Sequence, residues 1–429
     1  MKKDEVQALY EDVFAPCLIK ASHMLIERGD GAYVYLENGD EYLDLVQGVA
    51  VSNLGHSHPD VVNAACAQMK KIAHGSLFLA NYPSTMEFAT TLKDALPDGL
   101  DMFFFANTGT ESVEGALKLA RYTTRKSGTI ALRGSYHGRS MGAASITTST
   151  VLFRQNYAPF LPQVYFAPFP YCYRCSFGKE EKSCDLECLN YLKEDFKHII
   201  PEQDVSAVIF EPIQGEGGYI VPPVKYVKAL RELCNEKGLL LICDEVQTGV
   251  GRTGKMLAVE HFGITPDIVT MGKAVGGGFQ LGVVAASKEL MLQWKPGAHG
   301  TTFGGHPVAA AAGTATLNII NNQEFLDDVT KKGGYFRARL EELSKKYPEI
   351  GDIRGLGLMN AIEFVKDNKV ADTEKAAAVR EYFFKQNILI LPCGVNKNVL
   401  RFIPPLNISM ELLDRVLQTL EDGLASLKQ

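Results

Sequence analysis

The sequence predicts an α/β fold: a large domain with a mostly parallel sheet between helices, joined to a smaller α+β domain. Three observations carry this. Apolar runs of strand length alternate with longer segments of helical period through the middle of the chain. Those runs are apolar nearly throughout rather than at every second residue, as in strands covered on both faces. The early stretch Tyr33 to Val46 has a different pattern, and the charged composition rises after about residue 325, where helix and strand patterns alternate.

In chain order, YVYLENGDEYLDLV (Tyr33 to Val46) reads as a hairpin turning at Asn38-Gly39, a dipeptide that suits a two-residue turn. Strands follow at Met102–Asn107, Thr129–Ser135, Val205–Pro212, Gly238–Glu245, Asp267–Gly272 and Leu281–Ser287. Helical segments are expected at Glu111–Thr124, Pro223–Lys237 and Pro307–Ile320. No internal repeat or low-complexity tract interrupts the pattern.

At 429 residues and 46% hydrophobic content the chain is long enough for roughly two or three domains and a large core. A net charge of −6, with basic residues dispersed, argues against nucleic acid or an anionic membrane as partner. No apolar stretch is long enough to span a bilayer, and the polar start MKKDEVQALYEDVFAP does not read as a signal peptide. Cys66, Cys234 and Cys243 fall inside apolar runs and read as reduced core thiols, so a cytoplasmic protein is expected.

The chemistry concentrates between Leu241 and Lys273. One apolar run ends in Asp244, a Gly-rich loop follows, and a second run ends at Lys273, 29 residues later. An acid and an amine at two strand ends suit pyridoxal 5′-phosphate. That cofactor needs a lysine to hold its aldehyde as a Schiff base and a carboxylate to keep its ring nitrogen protonated. Asn107-Thr108-Gly109-Thr110-Glu111 ends a strand and opens a helix, so Gly109 and Thr110 would offer N–H groups and a positive dipole end to a phosphate.

Six blocks in order carry a family resemblance: Ala106–Arg121, Ser135–Gly142, Phe210–Gly218, the Asp244–Lys273 segment, His299–Ala312 and Leu400–Leu406. With them the chain resembles the class III (ω-amino acid) aminotransferases, and within that family the 4-aminobutyrate enzymes. The resemblance implies fold type I, with a seven-stranded sheet in a large domain at 56–324 and a small domain built from 1–55 and 325–429. It implies Tyr136 on one face of the cofactor ring, Val246 on the other, and Gln247 near the ring hydroxyl. Thr302 matches a residue that reaches the phosphate of the partner subunit, which implies a homodimer.

For substrate, the resemblance places Arg139 at the carboxylate distal to the reacting amine and Arg401 at the α-carboxylate of the oxo acid. Glu216 matches the glutamate that pairs with the second arginine when an ω-amine enters, and Val49 an aliphatic wall of the pocket. Guanidinium forks suit both arginine roles because they bind carboxylates in a bidentate way. The implied reaction moves an amino group from an ω-amino acid, best matched by 4-aminobutyrate, to 2-oxoglutarate. Ornithine- or acetylornithine-type transfer and amino-acid racemisation or epimerisation are the alternatives within the family.

Two features remain outside this reading. Cys172, Cys175, Cys184 and Cys188 pair a C-x-x-C with a C-x-x-x-C; they stand open as plain thiols, a metal site or a disulfide, and no metal is expected. A metal-binding regulatory protein built on them is the rival from another class. His56, His58 and His306 adjoin Gly or Pro in turns and read as structural.

Overall fold

A computed structural model describes residues 3–427 of the chain. Three strands near the N-terminus, β1 (Ile26–Asp30), β2 (Tyr33–Leu36) and β3 (Glu41–Asp44), pair antiparallel in sequence order. The expected hairpin is present, but its loop has three residues. Leu36 N–H donates to Asp40 O at 2.8 Å and Gly39 N–H to Leu36 O at 3.0 Å, with Gly39 at φ +90°. A tight turn closed by a left-handed glycine is the usual three-residue solution.

The large sheet holds β4 (Met102–Ala106), β5 (Gly128–Leu132), β6 (Val164–Ala167), β7 (Val205–Phe210), β8 (Leu240–Asp244), β9 (Ile268–Met271) and β10 (Gly282–Ala286). Their spatial order is β4-β10-β9-β8-β7-β5-β6, and β10 alone runs antiparallel to its neighbours. This is the expected seven-stranded, mostly parallel sheet. The continuous apolar runs have a simple cause: successive side chains enter two different cores. Ala207, Ile209, Ile242, Ile268 and Val284 pack with Val113, Ala116, Leu117 and Ala120 of the helix Gly109–Thr124. Val208, Phe210, Leu241, Cys243 and Val269 join the core that includes Val227, Leu230 and Cys234 of the helix Val224–Lys237. Burying each such aliphatic side chain stabilises the fold by roughly 1.5–3 kcal/mol.

Toward the C-terminus, β11 (Ile350–Leu356), β12 (Met359–Phe364), β13 (Ile388–Leu389), β14 (Leu391–Cys393) and β15 (Val399–Phe402) complete the strands. Four of them form an antiparallel sheet in the order β11-β12-β15-β14. β13 instead pairs parallel with β3, so the two ends of the chain share one sheet. Arg252, in the loop after β8, ties these parts together. Its guanidinium is fully buried and donates to Asn53 Oδ1 at 2.7 Å, Leu358 O at 3.1 Å and Pro404 O at 2.6 Å.

Among the described residues no helix is long and apolar enough to cross a membrane. Cys234 and Cys243 are buried as expected, but Cys66 is exposed on the helix Pro59–Lys71. Its apolar neighbours in sequence point to the other side of that helix, where Val61 and Ala65 are buried.

Candidate active site

Parallel strands leave a crevice at their carboxyl ends, and the expected residues gather there. Thr108–Thr110 follow β4, Tyr136–Arg139 follow β5, Glu211 follows β7, Asp244 ends β8 and Lys273 follows β9. Together with Glu216, Val246 and Gln247 they line a cavity of about 410 Å³. A larger concavity, about 1120 Å³, lies between the helix Lys3–Val13 and residues 380–384, but among the described residues no lysine lines it.

Asp244 is buried and held by three donors or partners. His137 Nδ1 lies 2.7 Å from Oδ2, while Oδ1 accepts from Val246 N–H at 3.1 Å and Thr270 Oγ1 at 3.2 Å. Thr270 is there because it faces Asp244 in the β8–β9 register. Glu211, also buried, accepts from Tyr136 N–H and Gly215 N–H, each at 2.8 Å, and so braces the loops that carry Tyr136 and Glu216. Burial raises its carboxyl to about 7, with His137 opposing and Asp244 reinforcing the shift.

Lys273 enters the cavity from a left-handed backbone, φ +46°, a conformation that a residue with a side chain adopts at a cost. Burial pulls its amine down to about 8, against the opposing pull of Asp244 and Glu211. A lysine so placed supplies more neutral amine near physiological pH than a surface lysine does. At the other end, Thr108 caps the helix Gly109–Thr124, its hydroxyl accepting from Glu111 N–H at 3.3 Å. The preceding strand end is closed by Glu111 Oε2, which accepts from Asn107 N–H and Nδ2.

Arg401 sits behind this cavity on β15 and is buried. Its Nη1 donates to Glu216 Oε2 at 3.1 Å, whereas its Nε is buried without a partner. Arg139 is exposed at the cavity mouth, its guanidinium 4.2 Å from the centre of the Phe153 ring. Phe153 in turn meets Tyr136 edge to face at 5.6 Å.

Besides Arg401, two further expected residues do not line the cavity. Val49 lies in a left-handed turn, Gln47–Ala50, whose four φ angles are all positive. Its neighbour Ala50 packs with Ile213, Tyr219 and Ile403. Thr302 is exposed, and it is Thr301 that bonds its own chain, accepting from Asn107 Nδ2 at 2.9 Å.

His137 and Glu211 carry no local signal in the sequence: His137 acts on Asp244, over a hundred residues away, and Glu211 accepts from the backbone of Tyr136, 75 residues away. The histidines read as structural stand elsewhere: His56 Nε2 is 2.8 Å from Asp44 Oδ2, and His58 and His306 each precede the proline that opens a helix. All nine cysteines are free, and among the described residues no cluster of three or more His, Cys, Asp or Glu could hold a metal ion.

The donor set fits pyridoxal phosphate. It combines an amine whose pKa burial lowers, a buried carboxylate held by His137, Thr270 and a backbone N–H, and a helix N-terminus across one cavity. The cradle is narrow: a Cβ on Gly109 would come within 2.6 Å of Val246 Cγ1. Gln247 also carries a buried Oε1 without a partner on the cavity wall.

Comparisons with known proteins agree. Residues 19–424 match the family described as aminotransferase class-III. The chain is 36% identical to a probable 4-aminobutyrate aminotransferase of Bacillus subtilis, covering 93% of this chain and 92% of that one. It is 35% identical to a leucine/methionine racemase of Thermococcus litoralis, covering 100% and 97%. An acetylornithine aminotransferase of Caldanaerobacter subterraneus is 39% identical over 94% and 95% of the two chains. Among solved structures, an amine transaminase from an uncultivated Pseudomonas species, in its PLP-bound form, superposes with a TM-score of 0.88 at 29% identity, covering 96% and 97%. The chain therefore belongs to the pyridoxal-phosphate-dependent class-III aminotransferases.

Proposed function

We propose that the protein transfers an amino group from an ω-amino acid, with 4-aminobutyrate as the best-matched donor, to 2-oxoglutarate, and that it does so as a homodimer. The observation that carries this is the Glu216–Arg401 pair. A buried guanidinium with one arm on a glutamate and a free Nε suits a site that meets a substrate with an α-carboxylate in one half-reaction and without one in the other. Arg139 supports the donor assignment, being a mouth guanidinium with a side of its own free for a distal carboxylate.

The bound cofactor would supply an electron sink for the substrate carbon. Within that frame Lys273 anchors the cofactor and afterwards moves a proton at the reacting carbon through its Nζ. Asp244 would face the ring nitrogen and keep it protonated, with His137 holding the carboxylate in place. The first-turn amides of Gly109 and Thr110 would take the phosphate. Tyr136 and Val246 would enclose the ring and exclude water, and Gln247 would meet its hydroxyl. Thr302 completes the phosphate site of the partner subunit. Its exposure, together with the nearly fully exposed Phe78 and the half-exposed Phe303, supports a face made for a second copy.

A second reading, racemisation, is favoured by the full-length similarity to a leucine/methionine racemase. Incubating the pure protein with a panel of amines and 2-oxoglutarate, and measuring both glutamate and inverted enantiomers, separates the two. Inversion without glutamate would overturn the proposal. The acetylornithine-type donor belongs in the same panel.

A further inference from the structure

Glu216 has two cationic neighbours, and they differ in kind. Oε2 is bonded by the buried Arg401, while Oε1 lies 3.4 Å from Nζ of Lys397, whose side chain is half exposed. This second contact is not a chance meeting of two long surface side chains. Lys397 ends a turn that is bonded to the glutamate's own backbone: Gly394 N–H donates to Glu216 O at 2.9 Å, and Lys397 N–H donates to Gly394 O at 3.0 Å. Lys397 itself has φ +54°, a left-handed conformation unusual for a residue with a side chain. The next residue, Asn398, is buried and anchors the turn by donating to Phe364 O at 2.7 Å. Backbone bonds therefore fix the turn that carries Lys397, and its ammonium meets the carboxylate oxygen of Glu216 that Arg401 does not bond.

We propose that Lys397 is a positioning residue that receives Glu216 when the α-carboxylate of the oxo acid takes Arg401. This rests on the switch reading of the Glu216–Arg401 pair given above. Two carboxylates cannot share one guanidinium closely without repulsion, so Glu216 must move outward as the substrate arrives. A carboxylate leaving a buried cation is stabilised if another cation stays within its reach, and Lys397 already meets the oxygen that Arg401 does not bond. In the resting arrangement Glu216 has both cations; in the displaced one Lys397 is its sole cationic partner. Loss of Lys397 therefore penalises the displaced arrangement more, and with it the carboxylate-bearing acceptor. A purely structural ion pair would not discriminate between the two halves of the reaction.

Glutarate, a dicarboxylate that cannot accept an amino group, is the binding probe, titrated calorimetrically into the holoenzyme. Lys397→Met keeps the chain length and removes the charge. It should weaken glutarate binding about three- to fivefold, the scale of a partly exposed ion pair. The single-turnover half-reaction with 2-oxoglutarate should show the same loss in apparent affinity, while the half-reaction with an ω-amine stays within about twofold of the parent, the weak end of what an exposed ion pair contributes. Lys397→Arg should restore the parent behaviour, and added salt should shrink the difference. In a Glu216→Gln background Lys397→Met should have no effect, because the group it receives carries no charge. Unchanged glutarate affinity, equal loss in both halves, or a loss that persists in the Glu216→Gln background would each overturn the proposal. Failure of the functional reading looks different. A parent that binds glutarate but takes no amino group from any ω-amine refutes the transfer reaction, and the glutarate comparison still decides the role of Lys397. A parent that does not bind glutarate refutes both.

Discussion

Replacing Arg401 by alanine should split the two half-reactions. The guanidinium is buried, with Nη1 on Glu216 and Nε free, so an incoming α-carboxylate would find a charge-assisted donor in a poorly solvated place. Removing such a contact typically costs about 2–4 kcal/mol, which is about 30- to 1000-fold in rate. Two features of the site place the expectation in the lower half of that range. Glu216 is 22% exposed and keeps Lys397, so the variant does not strand a fully buried charge. Water can also enter the space the side chain leaves. The loss belongs to kcat/KM for 2-oxoglutarate alone, since an ω-amine brings no carboxylate to that end; its half-reaction should change by no more than about threefold, the scale of lost packing. Arg401→Lys should fall between, because an ammonium keeps the charge but not the fork. Single-turnover spectroscopy reads each half separately, through the loss of the cofactor's aldehyde-form absorbance with amine and its return with oxo acid. Equal damage in both halves would refute the switch and shift weight toward racemisation, where the substrate presents an α-carboxylate in every step.

Lys273→Ala should fold, retain no borohydride-reducible cofactor and lose nearly all turnover; cofactor fixed at the parent level would name another lysine. In the cofactor-free parent, acylation of this amine should titrate near about 8. Its folded pKa lies below the ordinary 10.5, so the unfolded chain binds more protons between those values and stability should rise with pH across that window. A parent and variant with identical pH profiles of stability there would contradict the burial argument. Asp244→Asn should keep the bonds from Val246 N–H and Thr270 and bind cofactor, yet turn over far more slowly; a variant within about tenfold of the parent, roughly 1.4 kcal/mol, would refute the ring-nitrogen role. Mixed dimers of Thr302→Ala and Lys273→Ala should contain one parent-like site if the threonine acts across the interface, and none if it acts within its own subunit. Arg252→Met leaves three buried oxygen acceptors without their donor, each worth about 1–3 kcal/mol, so chemical denaturation should show a loss of about 3 kcal/mol or more; a loss under about 1 kcal/mol would mean water replaces the guanidinium.

What the sequence by itself determined is what short-range physics governs. The strands ending at Asp244 and before Lys273 were legible because both faces of the sheet are covered, so apolar residues run without interruption. The helix start at Gly109 was legible because a polar strand–helix turn with Thr108 and Gly109 marks it locally. Strand β6 was not, since Val164–Ala167 is four residues long and pairs with the sheet only along β5. Nor was the three-residue hairpin loop, because Asn38-Gly39 supports more than one turn and the pairing across the strands selects among them. The exposure of Cys66 depended on which way its helix turned its faces. Tertiary structure alone brought His137 to Asp244 across 107 positions, Arg401 to Glu216 across 185, and Lys397 to the same glutamate across 181. The reason is one of range: side-chain periodicity and caps act over a few residues, whereas a charge pair forms wherever chain topology brings two strand ends and a turn to the same crevice.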